Sequence, residues 1–172
     1  RIFDDLHELI SYHSLHSMPQ WKDEHEKAAQ WVARELEELG LDVTRHPTID
    51  DADTIIGVKE PAGDAPTILL YSHYDVVPAQ NPSAWTNDPM DLTERDGRWY
   101  GRGAADCKGN VVMHLEALRM VFDNGGTDLG LKVVVEGSEE LGGKDGLGHL
   151  IAEQPELFTS DVIMIGDGGN VA

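Results

Sequence analysis

At 172 residues the chain has the length of one domain, enough to bury roughly two-thirds of its unfolded surface. Hydrophobic residues at 40% and charged residues at 26% are those of a soluble globular protein, with no apolar run of membrane-spanning length and no signal-peptide pattern at the start. Only 13 Lys and Arg stand against 32 Asp and Glu, and the formal charge of −19 excludes nucleic acid as a partner, because phosphate binding needs clustered basic residues.

Ile2, Leu6, Leu9 and Ile10 keep helical spacing and predict a first helix over residues 2–12. After a loop containing Pro19, a longer helix is predicted over 22–39, with Ala28, Trp31, Val32, Leu36 and Leu39 on one stripe and Gly40 as its C-terminal cap. The run Glu35-Leu36-Glu37-Glu38 reads as a solvated helix face, and His7, His13, His16 and His25 are expected at the surface. Residues 41–46 alternate as a strand, and 54–59 can pair with them as a hairpin. Residues 67–71 form a continuous apolar run, the mark of a central buried strand. The segment 78–98 holds Pro78, Pro82, Pro89 and Gly97 without periodicity, so it is expected to be a long ordered loop with a functional purpose. A helix over 110–122, a strand over 131–135, a short helix over 147–153 and a last strand over 161–165 complete the series. The alternation predicts an α/β domain of three layers, with a mostly parallel central sheet flanked by helices.

The histidine and acidic residues fall at particular places in this series. His73 and Asp75 follow the strand ending at Tyr71, Glu139 and Glu140 follow the strand ending at Val135, and Asp167 follows the strand ending at Ile165. In open α/β sheets ligands bind beyond the carboxyl ends of strands, so three strands deliver these groups to one edge. Asp106 is a fourth contributor, just before a helix. Each position also has an ordinary reading: Asp106 as a helix cap, the glutamate pair as a helix start, Asp167 in Gly166-Asp167-Gly168-Gly169 as a turn. Together they point to a metal site, and imidazole with carboxylates but no thiolate suits zinc, with manganese and cobalt as alternatives. Of two adjacent glutamates, one can hold the ion while the other takes a proton from activated water. Asp75, two residues after His73, is placed to hold the second imidazole nitrogen.

Other candidates carry less. His114 lies mid-helix and is expected to be packed or surface-facing, and His149 lacks ligand company. No GxGxxG pattern is complete, which removes a dinucleotide site. Cys107, the single cysteine, excludes an internal disulfide and favours a reducing, cytoplasmic compartment, and no histidine in sequence serves it as a nucleophile.

The segments His73-Tyr74-Asp75-Val76-Val77-Pro78, Trp85 through Asp88-Pro89-Met90, Tyr100-Gly101-Arg102-Gly103-Ala104-Ala105-Asp106-Cys107-Lys108-Gly109 and Glu136-Gly137-Ser138-Glu139-Glu140-Leu141-Gly142 resemble the M20 metallopeptidases, in the same order. The resemblance runs from about Trp21 to Asp167. It implies a zinc-exopeptidase-like catalytic domain with two divalent ions. By that likeness His73 and Asp167 hold the first ion, Asp106 bridges, Glu140 holds the second, Glu139 is the general base and Asp75 supports His73, with a cis peptide at Asp106–Cys107. In the family a final histidine, a lid domain with the substrate-carboxylate clamp, and the homodimer contact come from further along the chain. Residues 1–172 are therefore expected to be the N-terminal part of a catalytic domain, inactive alone. The parent is expected to hydrolyse an amide bond with metal-activated water, as a dipeptidase; the alternatives are an N-acyl amino acid deacylase of the desuccinylase or deacetylase type, and a truncated noncatalytic metal-binding module. Its expected partner is a small peptide or N-acyl amino acid, with neither nucleic acid nor membrane involved.

Overall fold

The computed structural model describes residues 1–167; Gly168 and Gly169 of the last turn, and residues 170–172, lie outside the described residues. Its elements are α1 (Ile2–Ser11), α2 (Lys22–Glu38), β1 (Asp42–His46), β2 (Thr54–Lys59), β3 (Thr67–His73), β4 (Thr93–Arg95), β5 (Arg98–Tyr100), α3 (Lys108–Asp123), β6 (Gly130–Glu136), α4 (Leu147–Glu153) and β7 (Val162–Ile165). The main sheet has the order β1-β2-β6-β3-β7. Strand β3 runs parallel to both β6 and β7, which is the parallel core expected from the sequence. The hairpin β1–β2 forms an antiparallel wing, with β2 antiparallel to β6, so the whole sheet is mixed.

Alternation along the strands makes the three layers. Ile55, Leu70, Val133 and Val135 face a core built with Leu9 and Ile10 of α1, Val32 and Leu36 of α2, and Val111 and Leu115 of α3. Ile56, Leu69 and Val134 face the other way, against Leu147 of α4 and Leu157 and Phe158 of the turn that follows it. Leu9, Ile10, Val32 and Leu36 are wholly buried. Each such side chain contributes about 1.5–3 kcal/mol through its removal from water, so the helical layer on this face is the larger source of stability.

Several expectations change in the folded chain. Strand β3 continues two residues past Tyr71, because Ser72 pairs with Val135 and His73 with Glu136; His73 therefore ends a strand instead of following one. Within 78–98 and just beyond it, β4 and β5 form an antiparallel ribbon. Asp96 and Gly97 between them both have positive φ, at 53° and 72°, which is the type I′ hairpin turn that Asp-Gly favours. Trp99 of this ribbon meets Phe3 of α1 edge-on at 5.3 Å. His25 is not at the surface: it is 6% exposed, on the same helical stripe as Ala28, Ala29 and Val32. His7, His13 and His16 are half-buried, and His7 pairs with Asp91 at 2.9 Å.

Glu35 is the other correction to the surface reading. It is 8% exposed, while Glu37 and Glu38 on the same run are exposed. Its carboxylate meets Arg119 of α3, which also binds Asp5 of α1 and Glu116 of its own helix, so one guanidinium ties three helices together. Removing one partner of a buried pair leaves the other charge unpaired, at a cost of about 3–5 kcal/mol. Arg119→Leu is therefore expected to lose at least about 3 kcal/mol of unfolding free energy in urea titration, and adding Glu35→Leu should restore part of it. A loss below about 0.5 kcal/mol would show that the pair is no more than a surface ion pair.

Candidate metal centre

His73, the last residue of β3, is fully buried, and Asp75, two residues on, is 1% exposed. Glu139 and Glu140 begin a single 3-10 turn (Glu139–Leu141) that follows β6. Gly137 joins the two: a Cβ there would lie 2.3 Å from the Tyr74 hydroxyl, which donates to the Asp53 carbonyl at 2.8 Å, so no larger residue fits. Asp167 follows β7 after Gly166. Asp106 sits in the tight turn before α3, and the Asp106–Cys107 peptide is cis. That turn closes on Gly109, whose amide donates to the Gly103 carbonyl at 3.0 Å; a Cβ there would overlap the Ala104 carbonyl oxygen at 2.0 Å. The glycines of the Gly101–Gly109 segment thus serve the fold that presents Asp106.

All six residues singled out in the sequence come together. The Nε2 of His73 lies 3.1 Å from Asp106 Oδ1, 3.6 Å from Asp167 Oδ1 and 3.7 Å from Glu139 Oε2. Glu140 joins His73 and Asp106 in a group whose potential ligand atoms all lie within 4.8 Å of one another. The opposite nitrogen, Nδ1, faces Asp75 Oδ1 at 3.2 Å and the Asp75 carbonyl at 3.1 Å. With Nδ1–H donated to Asp75, Nε2 is left facing the other carboxylates, the usual arrangement of a metal-binding histidine. Asp75 does more than the sequence suggested. Its two carboxylate oxygens accept the main-chain amides of Glu139 and Glu140, each at 3.1 Å.

A second group of three contains His73, Asp167 and Cys107. Cys107 Sγ donates to the Gly166 carbonyl at 3.0 Å, and burial pushes its thiol up to about 12. A thiol held protonated in this way is not a nucleophile. His73, not Asp106, is the member common to both groups.

The electrostatics of the donor set fit a cation. Burial alone would lower the His73 pKa, but the hydrogen bond and charge of Asp75, with Asp167 and Glu139 beyond, push it up to about 9. Burial raises the Glu139 carboxyl, helped by Asp167, Asp75 and Asp106 and opposed by His73. Glu140 is raised by burial and then by Asp106. One imidazole thus faces more negative charge than it can offset. A divalent ion satisfies the same carboxylates that otherwise keep a proton on His73, and metal binding displaces such protons. Asp106 and Glu139 are 67% and 38% exposed, so the centre is open on one side. An open groove of about 330 Å³ extends from Glu139 past Tyr71, Lys144, Leu147 and Ile151, in the range for a small ligand.

One supporting residue was hidden by the surface reading. His25 Nε2 meets the Gly137 carbonyl at 2.7 Å, with its ring 4.9 Å from that of Tyr74, and so steadies the turn that carries Glu139 and Glu140. Its place on the apolar stripe of α2 was the available signal. His114 is packed, at 7% exposure, and its Nδ1 has no partner among the described residues. None of the described helices is long and apolar enough to cross a membrane.

The chain is 81% identical over its whole length to a cysteinylglycine-S-conjugate dipeptidase of Corynebacterium striatum, of which it spans 38%. It is 41% identical over 108 residues to a beta-Ala-His dipeptidase of Mus musculus, an alignment covering 60% of this chain and 22% of that protein. The crystal structure of human carnosine dipeptidase 1 superimposes with a TM-score of 0.87 at 27% identity, covering 97% of this chain and 38% of the human one. The profile of peptidase family M20/M25/M40 matches residues 69–172, the stretch that contains His73, Asp75, Asp106, Glu139, Glu140 and Asp167. The chain therefore belongs to peptidase family M20/M25/M40.

Proposed function

We propose that the protein is a metallodipeptidase that hydrolyses the amide bond of a small peptide, with cysteinylglycine S-conjugates as the first substrate class to examine. The observation that carries this reading is the 81% identity over all 172 residues to a dipeptidase of that specificity. In this reading two divalent ions, zinc before manganese or cobalt, are held by His73, Asp106, Glu140 and Asp167. When bound, the ions supply Lewis-acid polarisation of the scissile carbonyl and make water a nucleophile near neutral pH.

The chain's own residues do the rest. Glu139 is the general base. Its carboxylate takes the proton of the attacking water and returns it to the leaving amine nitrogen. Asp75 orients His73 through Nδ1 and anchors the Glu139 and Glu140 amides, so one carboxylate sets the distance between the base and a metal-holding imidazole. The groove beside Glu139 is the place for one end of the peptide. Residues 1–172 are read as the N-terminal part of the catalytic domain. The remainder of a protein of the relatives' length supplies a lid domain, a last histidine, the substrate-carboxylate clamp and a homodimer contact, which is consistent with the 38% span. The single cysteine, buried and unpaired, supports a reducing cytoplasmic location.

Chelator-treated full-length protein given zinc, manganese or cobalt and then cysteinylglycine S-conjugates should release free glycine, measured by mass spectrometry. Hydrolysis of N-succinyl or N-acetyl amino acids in place of dipeptides would overturn the reading. In the same protein, Glu139→Gln should lower turnover by several orders of magnitude while metal content stays near that of the wild type; wild-type turnover would remove Glu139 as the base. Asp106→Ala should lower metal content at both positions, and full occupancy of either position would contradict a bridging carboxylate.

A further inference from the structure

Lys108, in the Gly101–Gly109 segment, takes no part in the chemistry. It follows Asp106 by two positions, opens α3, and is completely buried. Its ammonium forms no ion pair among the described residues. Instead, Nζ donates to two main-chain carbonyls at the carboxyl end of α1, Leu9 at 2.8 Å and Tyr12 at 2.7 Å. A buried ammonium is costly unless it is hydrogen-bonded. The end of a helix is one of the few places where main-chain carbonyls are left over and the dipole favours a cation. The aliphatic stem of Lys108 lies against Gly103, where a Cβ would come within 3.1 Å of Lys108 Cδ and 3.0 Å of Val76 Cγ1.

The same end of α1 grips the other side of the centre. Ser14 Oγ donates to the Tyr74 carbonyl at 2.6 Å, and the Val76 amide donates to the Ser14 carbonyl at 3.0 Å. These two bonds flank Asp75. The carboxyl end of α1 and residues 12–14 are thus bonded on one side to the segment holding Asp75, and on the other, through Lys108, to the turn holding Asp106.

We infer that Lys108 is a positioning residue of the metal centre: by locking the Asp106 turn onto the end of α1, it sets the separation between Asp106 and the Asp75–His73 pair. It is not a ligand, since its nitrogen is engaged with Leu9 and Tyr12. The inference rests on reading the six residues as a metal centre.

The test is a Co²⁺ titration of the metal-free full-length protein, with affinity and visible absorption read alongside the thermal midpoint. Lys108→Met keeps the stem and removes the donors. It should weaken Co²⁺ binding by about tenfold or more, the usual effect of losing a group that orients a ligand, and alter the absorption band. Ser14→Ala should weaken it severalfold. Ile56→Ala, in the core on the other face of the sheet from α1, should lower the thermal midpoint and leave Co²⁺ affinity unchanged. Lys108→Met with a lowered midpoint but Co²⁺ affinity within twofold of wild type overturns the inference. If Lys108→Met does not fold, unchanged affinity in Ser14→Ala overturns it instead. A wild-type protein that binds no Co²⁺ removes the metal-centre reading itself, whereas binding in the wild type with no effect of either variant removes only the role of Lys108.

Discussion

The buried carboxylate of Asp75 is the constraint on which the rest of the centre depends. A carboxylate at 1% exposure must be met by donors, and this one is met from two directions. His73 Nδ1 lies 3.2 Å from one oxygen, and the amides of Glu139 and Glu140 come within 3.1 Å of one oxygen each. The ring orientation of His73 and the placement of the turn after β6 are therefore set by one side chain. Because Nδ1 is taken, Nε2 can only face Asp106, Glu139 and Asp167. Strands β3 and β6 are parallel neighbours in register from Thr67–Gly130 to His73–Glu136, which is why residues 75 and 139 meet although 64 positions separate them.

The protein handles clustered acid in two ways. On the helical side, Asp5, Glu35 and Glu116 surround Arg119, and with Arg34 on Glu35 and Arg1 on Glu116 the three carboxylates meet three guanidiniums within the chain. Beyond the sheet edge, Asp75, Asp106, Glu139, Glu140 and Asp167 surround His73 alone, and the imbalance appears as an imidazole pushed up to about 9 and as raised glutamates. The first arrangement holds helices together. The second is unfavourable for the chain in isolation and suited to an ion, the kind of local conflict that folded proteins retain at functional sites.

Much of both fold and centre was legible in the residues. Periodicity located β2 over Thr54–Lys59 and α4 over Leu147–Glu153 to the residue, and the placement of His73, Asp75, Asp106, Glu139, Glu140 and Asp167 after predicted strands or before a helix singled out the same six that converge. What escaped were the partners. His25 and Glu35 look like surface residues because polarity is a local property, yet each sits on the apolar stripe of α2 and is buried by an acceptor or donor more than 80 positions away. The Asp96-Gly97 dipeptide carries a turn signal, but strands of only three residues each give no alternation to set beside it.

The sequence by itself determined which groups gather: strand alternation and the carboxyl-end rule for parallel strands send one imidazole and the carboxylates to a common edge. Only the tertiary structure decided how they are held. The reach of Asp75 to the Glu139 and Glu140 amides, of His25 to the Gly137 carbonyl and of Lys108 to the carbonyls of α1 spans 64 to 112 positions of chain. The physical reason is that a main-chain amide or carbonyl carries no trace of residue type. A hydrogen bond to it leaves no pattern in the sequence, and it exists only once the strands and helices have packed.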